Sequence, residues 1–243
     1  MKMRYKYNKL YCFSPPVMIA TFVIEAILFL YTVMRYRMTP LGRIVATTLA
    51  CLALFQFAEY KVCGLDMSHA LWSRVGFVAI TMLPALGIHM IQEISGKGSR
   101  VITVSAYATS LMFAGTFGLN PSAFQGHVCA GNYAVFQLAS PLGGAYFFYY
   151  YFWLLFGIGM AWYYSNSVKA NIRKALFLQI IGYASFLLPT GIVNALNPQT
   201  LEGIPSIMCG FAVTYALILV FGIVPSVLKH RRGLQGVAVH AKQ

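Results

Sequence analysis

Glu25 is an acid set about midway along an apolar run, Ser14–Tyr36. A carboxyl near the centre of a membrane helix costs about 2.5–3.5 kcal/mol on insertion scales, so such residues face a bundle interior or a wet cavity. Two roles fit it: a ligand or proton site, or a buried acid hydrogen-bonded to a neighbouring helix. Glu59 closes the next apolar run beside Tyr60 and Lys61 and reads as an interface charge or a second acid of the same site. Asn194, Asn197 and Ser206 gather near the ends of two later runs. By depth alone, these three join Glu25 and Glu59 around an outward-opening pocket. Trp72 and Arg74 open the third run, where the Arg anchors an acidic group from outside or snorkels to the interface. His89 and Glu93 are four apart and share a helix face, which suits an ion pair or hydrogen bond. HxxxE without a third ligand does not suit a metal, and nothing points to a cofactor.

The elements that must position these residues are seven apolar stretches: Ser14–Tyr36, Leu41–Tyr60, Leu71–Ile94, Arg100–Gly118, Pro141–Tyr164, Lys174–Leu196 and Pro205–Leu228. Each approaches or exceeds the roughly 20 residues that a helix needs to cross a bilayer core. The expected fold is therefore all-α, a polytopic seven-transmembrane-helix bundle over residues 14–228. A basic segment, 1–13, precedes it and a short basic tail, 229–243, follows. Prolines at Ser14-Pro15-Pro16, Thr39-Pro40 and Ile204-Pro205 mark helix starts, where a missing N–H leaves no bond unmade. Asp66-Met67-Ser68 offers caps before the third helix. The longest connection, Asn120–Ser140, is rich in Gly, Ser and Asn and reads as a loop. The aromatic run Tyr146–Trp153 must point all round its helix, some rings outward and some into the bundle.

Composition agrees with a bilayer as solvent. The chain is 59% hydrophobic and 9% charged, against about 25% charged in soluble domains. Its net charge of +13 lies between the apolar runs, where cations meet anionic head groups, and no basic stripe with stacking aromatics suggests nucleic acid. Twelve of the 18 Lys and Arg residues fall on one side of a seven-helix arrangement: Arg35, Arg37, Arg43, Lys97, Arg100, Lys169, Arg173, Lys174, Lys229, Arg231, Arg232 and Lys242. The positive-inside rule then puts the C-terminus in the cytoplasm and the N-terminus outside a cell membrane. Lys2, Arg4, Lys6 and Lys9 argue for the inverse. In the favoured orientation Cys63 and Cys129 lie outside, where a disulfide between them would tie the long loop to the connection after the second helix.

Several classes fall away. Helix 7 has no lysine before Lys229, so no retinal Schiff base forms. HExxH, GxSxG and Walker patterns are missing, and an intramembrane enzyme has no convincing catalytic set. A small transporter or channel subunit, with Glu25 as coupling acid, stays open.

Helix 3 reads Leu71-Trp72-Ser73-Arg74-Val75-Gly76-Phe77, then Met82-Leu83-Pro84. This W-x-R followed by L-P resembles the N-terminal seven-transmembrane sensor region of bacterial histidine kinases, over helices 2 to 7. The resemblance implies a bacterial inner-membrane sensory module that responds to a stimulus and signals onward. In that family an output domain follows helix 7, and this sequence shows none before Gln243. The leading expectation is a receptor-like module that binds a small or lipophilic ligand in the outer half of the bundle. It signals through a cytoplasmic or membrane partner, with the lipid bilayer as its surroundings.

Overall fold

The computed structural model describes residues 15–36, 39–64, 69–130 and 133–231. The segment 1–13, the caps at Asp66-Met67-Ser68 and the tail after Gly233 lie outside them.

Six helices are long and apolar enough to cross a membrane: Pro16–Tyr36, Pro40–Cys63, Leu71–Ser95, Arg100–Leu119, Ala170–Leu196 and Ile204–Arg231. In finer detail these are α1 (Pro15–Tyr36), α2 (Pro40–Glu59), α3 (His69–Thr81), α4 (Leu83–Ser95), α5 (Arg100–Leu119), α7 (Ala170–Leu196) and α8 (Ile204–Leu217). Between α5 and α7 stands α6 (Leu142–Ser165), 24 residues long. It has the length to cross, and carries no charged residue. The architecture is α-helical, as expected, with one addition. The long connection is a two-stranded antiparallel hairpin, β1 (Phe124–Ala130) paired with β2 (Tyr133–Leu138).

The third predicted helix is two. Pro84 cannot donate to the carbonyl one turn earlier, and the chain breaks at Met82 between α3 and α4. The Thr81 carbonyl is taken up by other helices: the Ser110 hydroxyl donates to it at 2.9 Å and the Tyr149 hydroxyl at 2.7 Å. A kink inside an apolar bundle persists when side chains re-satisfy its freed backbone groups.

Two wide π turns interrupt other helices. Tyr60–Gly64 prolongs α2, and Ile218–Ile223 prolongs α8, after which helix continues to Arg231. Thr39 caps α2 by accepting from the Gly42 N–H at 3.0 Å. α7 begins at Ala170, four residues before the predicted start, because Arg173 and Lys174 occupy its first turn rather than the connection.

The core runs through α2, α4 and α8, whose Val45, Leu49, Phe55, Ile88, Ile91, Ala216 and Leu219 are fully enclosed. α1 is the least enclosed span, 22% buried against 67% for α2. The hairpin is seated on the bundle by rings. Phe77 meets Phe117, Phe124 and Phe136 edge to face, with centroids 5.2 to 5.4 Å apart, and Phe117 meets Tyr146 at 4.9 Å; such pairs add about 0.5–1.5 kcal/mol beyond area burial. The aromatic run of α6 divides as its periodicity requires. Tyr146, Tyr149 and Trp153 are buried, while Phe148, Phe152 and Phe156 stack outward.

Candidate functional site: a buried acid pair

Glu25 is 0% exposed and Glu59 1%. α1 brings the first from its middle. α2 brings the second from its last residue, just before the wide turn Tyr60–Gly64. The two carboxyls are close enough to interact electrostatically. Ser206, in the first turn of α8, is hydrogen-bonded to Glu59. Gln56 lies one turn before Glu59 on the same face of α2. A narrow cleft between α1, α2 and α8, too tight for a water molecule, reaches Glu59, Gln56 and Ser206 but not Glu25; Val17, Met18, Thr21 and Gly210 complete its lining.

The polar atoms of this cluster are under-satisfied. Both oxygens of Glu25, Oε1 of Glu59 and Nε2 of Gln56 are buried without a hydrogen-bond partner. Thr21 does not help, since its hydroxyl lies 2.9 Å from the Met18 carbonyl and 3.0 Å from that of Val17 on its own helix. Among the described residues no Lys, Arg or His forms an ion pair with either acid; the ion pair present, Arg231–Glu93, is elsewhere. Each orphaned buried polar group costs about 1–3 kcal/mol, so a set of four marks a place that a proton, an ion or water completes. Three carboxyl oxygens and a hydroxyl are hard donors of the kind cations take.

The structure thus unites three residues of the sequence-predicted site, Glu25, Glu59 and Ser206, and places the other three apart. Trp72 packs edge to face on Phe57 at 5.5 Å, and Lys61 Nζ lies 5.0 Å from the Phe57 centroid and 5.9 Å from that of Trp72. Arg74 donates to the Gly118 carbonyl at the end of α5, where a cation complements the helix dipole. Asn194 Oδ1 lies 2.6 Å from the Thr200 hydroxyl, closing the connection from α7 to α8. These are bracing roles, and depth in the sequence cannot separate them from pocket roles. Gln56 was missed; its signal is the i, i+3 spacing to Glu59 within an otherwise apolar run.

His89 and Glu93 take different partners. His89 Nδ1 is hydrogen-bonded to the Tyr107 hydroxyl at 3.1 Å, and Glu93 Oε1 accepts from Arg231 at 2.6 Å. One helix face therefore serves two neighbours, α5 and the last helix. Among the described residues no group of three His, Cys, Asp or Glu side chains is placed to hold a metal ion.

Cys63 is disulfide-bonded. The Cys129 side chain lies outside those described, so no disulfide has both sulfurs among them. Cys51 and Cys209 are free thiols within helices.

Two small internal cavities lie deeper, of about 10 and 30 Å³, sharing Tyr150, Met208 and Cys209. The larger also touches Tyr183 and Tyr215, and Gln179 Nε2 donates to the Tyr215 hydroxyl at 2.6 Å. Their volume suits about one water each, not a lipophilic molecule. Compared with known proteins, the chain matches no family model and no curated sequence.

Proposed function

We propose that this is a polytopic membrane protein of seven spans, a receptor-like module whose buried acid pair takes up a small cation, the proton included. The observation that carries this reading is the Glu25–Glu59 pair: two enclosed acids from different helices, three of their four oxygens unpartnered. A charged pair left so in an apolar interior would be strongly destabilising without a partner, so occupancy of the site biases the packing of α1, α2 and α8.

Bilayer residence is supported by the six long apolar helices and by large apolar side chains that face outward, among them Met34, Leu111 and Leu188. So many outward apolar groups suit lipid better than water. α6 supplies the seventh crossing. The N-out, C-in orientation rests on charge. Lys97 Nζ bonds to the Ser167 carbonyl, Arg173 Nε to the Ser165 carbonyl, and Arg231 to Glu93. These contacts gather the connections after α4 and α6 and the end of the last helix at one basic end, which we assign to the cytoplasm. The hairpin end then faces outside, with Cys63–Cys129 as its clasp.

Transmission runs along the last helix. Ser206 reads the acid pair in the first turn of α8, the wide turn Ile218–Ile223 accommodates a shift, and Arg231 reports it at the basic end. π turns recur at functional sites, and small helix shifts are a common switching device. The partner is a cytoplasmic or membrane signalling protein, in keeping with the resemblance of Trp72-x-Arg74…Leu83-Pro84 to histidine-kinase sensor regions.

The test uses protein reconstituted in liposomes. Amide exchange of the basic end is followed as proton or sodium concentration is varied. The expected result is a cation-dependent change that Glu25→Gln and Glu59→Gln abolish while the helical content stays. An invariant exchange pattern in the parent protein overturns the reading. Cation flux in the parent protein, lost in Glu25→Gln, would instead establish a carrier.

A further inference from the structure

The basic end carries a second feature. A groove of about 360 Å³ opens between α1 and the last helix, flanked by Arg35 and Lys229 and lined by Tyr31, Phe221 and Pro225. Both cations are exposed, and neither forms an ion pair among the described residues. Of the five acids in the chain, Glu93 is the one that the helix order brings to this end, and it is held by Arg231. The groove therefore has two positive charges and no negative one.

Two ridges lead into it. On α1, Ile27, Tyr31 and Arg35 follow at steps of four; on the last helix, Phe221, Pro225 and Lys229 do the same. Residues four apart stack along one helix face. Each ridge thus runs from an exposed apolar side chain, Ile27 or Phe221, through the groove to a cation at its mouth. The valley is fixed rather than transient. The Tyr36 hydroxyl donates to the Val220 carbonyl at 2.7 Å, within the wide turn of the last helix, and the Tyr31 and Phe221 rings meet at 5.8 Å.

We infer that this groove holds an anionic phospholipid of the surrounding leaflet. Its phosphodiester sits between Arg35 and Lys229, and an acyl chain lies along Ile27 and Phe221. The occupant is chosen by the order of the lining: charge at the mouth and apolar surface continuing outward along the helices match an amphiphile with an anionic head. A basic side chain near a membrane surface contributes roughly fivefold to anionic-lipid affinity, and two converging on one phosphate give this site its preference. The occupant would brace the joint between α1 and the last helix. The inference rests on bilayer residence as proposed above, but not on the acid pair.

The experiment is native mass spectrometry of the full chain released from vesicles of phosphatidylcholine with phosphatidylglycerol. One phosphatidylglycerol is expected to stay bound in preference to phosphatidylcholine. Arg35→Gln with Lys229→Gln should lower its retention by about tenfold or more. Arg43→Gln, an exposed cation outside the groove, should leave retention unchanged, and Arg35→Lys should restore most of it. Equal retention of both lipids, or retention indifferent to the double substitution, overturns the proposal. So does displacement of the lipid by inorganic phosphate at millimolar concentration, which would make the ligand a soluble anion. If the double variant misfolds, Arg35→Gln alone decides: retention should fall about fivefold against the Arg43→Gln control, and equal retention in the two overturns the proposal. Failure of the parent protein to insert into any vesicle would defeat bilayer residence itself, and is read before the lipid comparison.

Discussion

Arg231 donates to Glu93 at 2.6 Å across 138 positions of sequence, fastening the last helix to the end of α4. The pair is partly exposed, at 42% and 24%, and its strength is correspondingly limited. A double-mutant cycle with Arg231→Ala and Glu93→Gln, read by thermal unfolding in detergent, should give a coupling of at most about 1 kcal/mol. The same substitutions should disturb cation-dependent exchange at the basic end more than they disturb stability. Equal effects on both would assign the pair a bracing role alone.

The kink between α3 and α4 depends on hydroxyls from two other helices. Ser110→Ala and Tyr149→Phe each remove one donor to the Thr81 carbonyl and should each lower stability by about 1 kcal/mol. Together they leave a buried carbonyl bare, so the combined loss should exceed the sum. Additive losses would mean that the carbonyl finds another donor.

Close approach of helices requires a glycine at one position and not at another. A Cβ on Gly87 would collide with the Tyr183 hydroxyl, whereas one on Gly115 meets nothing within 4 Å. Gly87→Ala should destabilise by about 1–3 kcal/mol. Gly115→Ala should stabilise α5 by roughly 0.5–1 kcal/mol, since helical glycine is the costlier residue. Denaturation of the two variants side by side checks the sign.

Cys63 is disulfide-bonded; the proposed orientation puts both Cys12 and Cys129 outside with it, and Cys129 is the expected partner. Peptide mapping of non-reduced protein should yield a Cys63–Cys129 crosslink and free thiols at Cys51 and Cys209. A Cys12–Cys63 crosslink would remove the proposed clasp from the hairpin.

Much of the fold is legible because a helix of about 20 apolar residues shows itself in a window of sequence rather than in a contact. What the windows concealed were local breaks. Pro84 was visible in the run Leu71–Ile94, but a proline alone does not say whether neighbours will repair a broken ladder; Ser110 and Tyr149 do so from 29 and 68 positions away. The hairpin reads as a loop in sequence because Gly, Ser and Asn dominate its ends, while its strands are held by rings on other elements, with Phe136 packed on Phe77. Depth foretold that Glu25, Glu59 and Ser206 sit at compatible levels. It carries no information on rotation about a helix axis, which is why Arg74 and Asn194, at similar levels, turn out to close helix ends.

The shallow burial of α1 has a consequence for access to its acid. α1 supplies Glu25 and one wall of the cleft, yet most of its surface faces away from the bundle. Separating it from α2 and α8 would uncover both carboxyls and leave the ring-packed seat of the hairpin untouched. If an ion occupies the pair as proposed, its rate of arrival would follow how often α1 detaches from its two neighbours along its length.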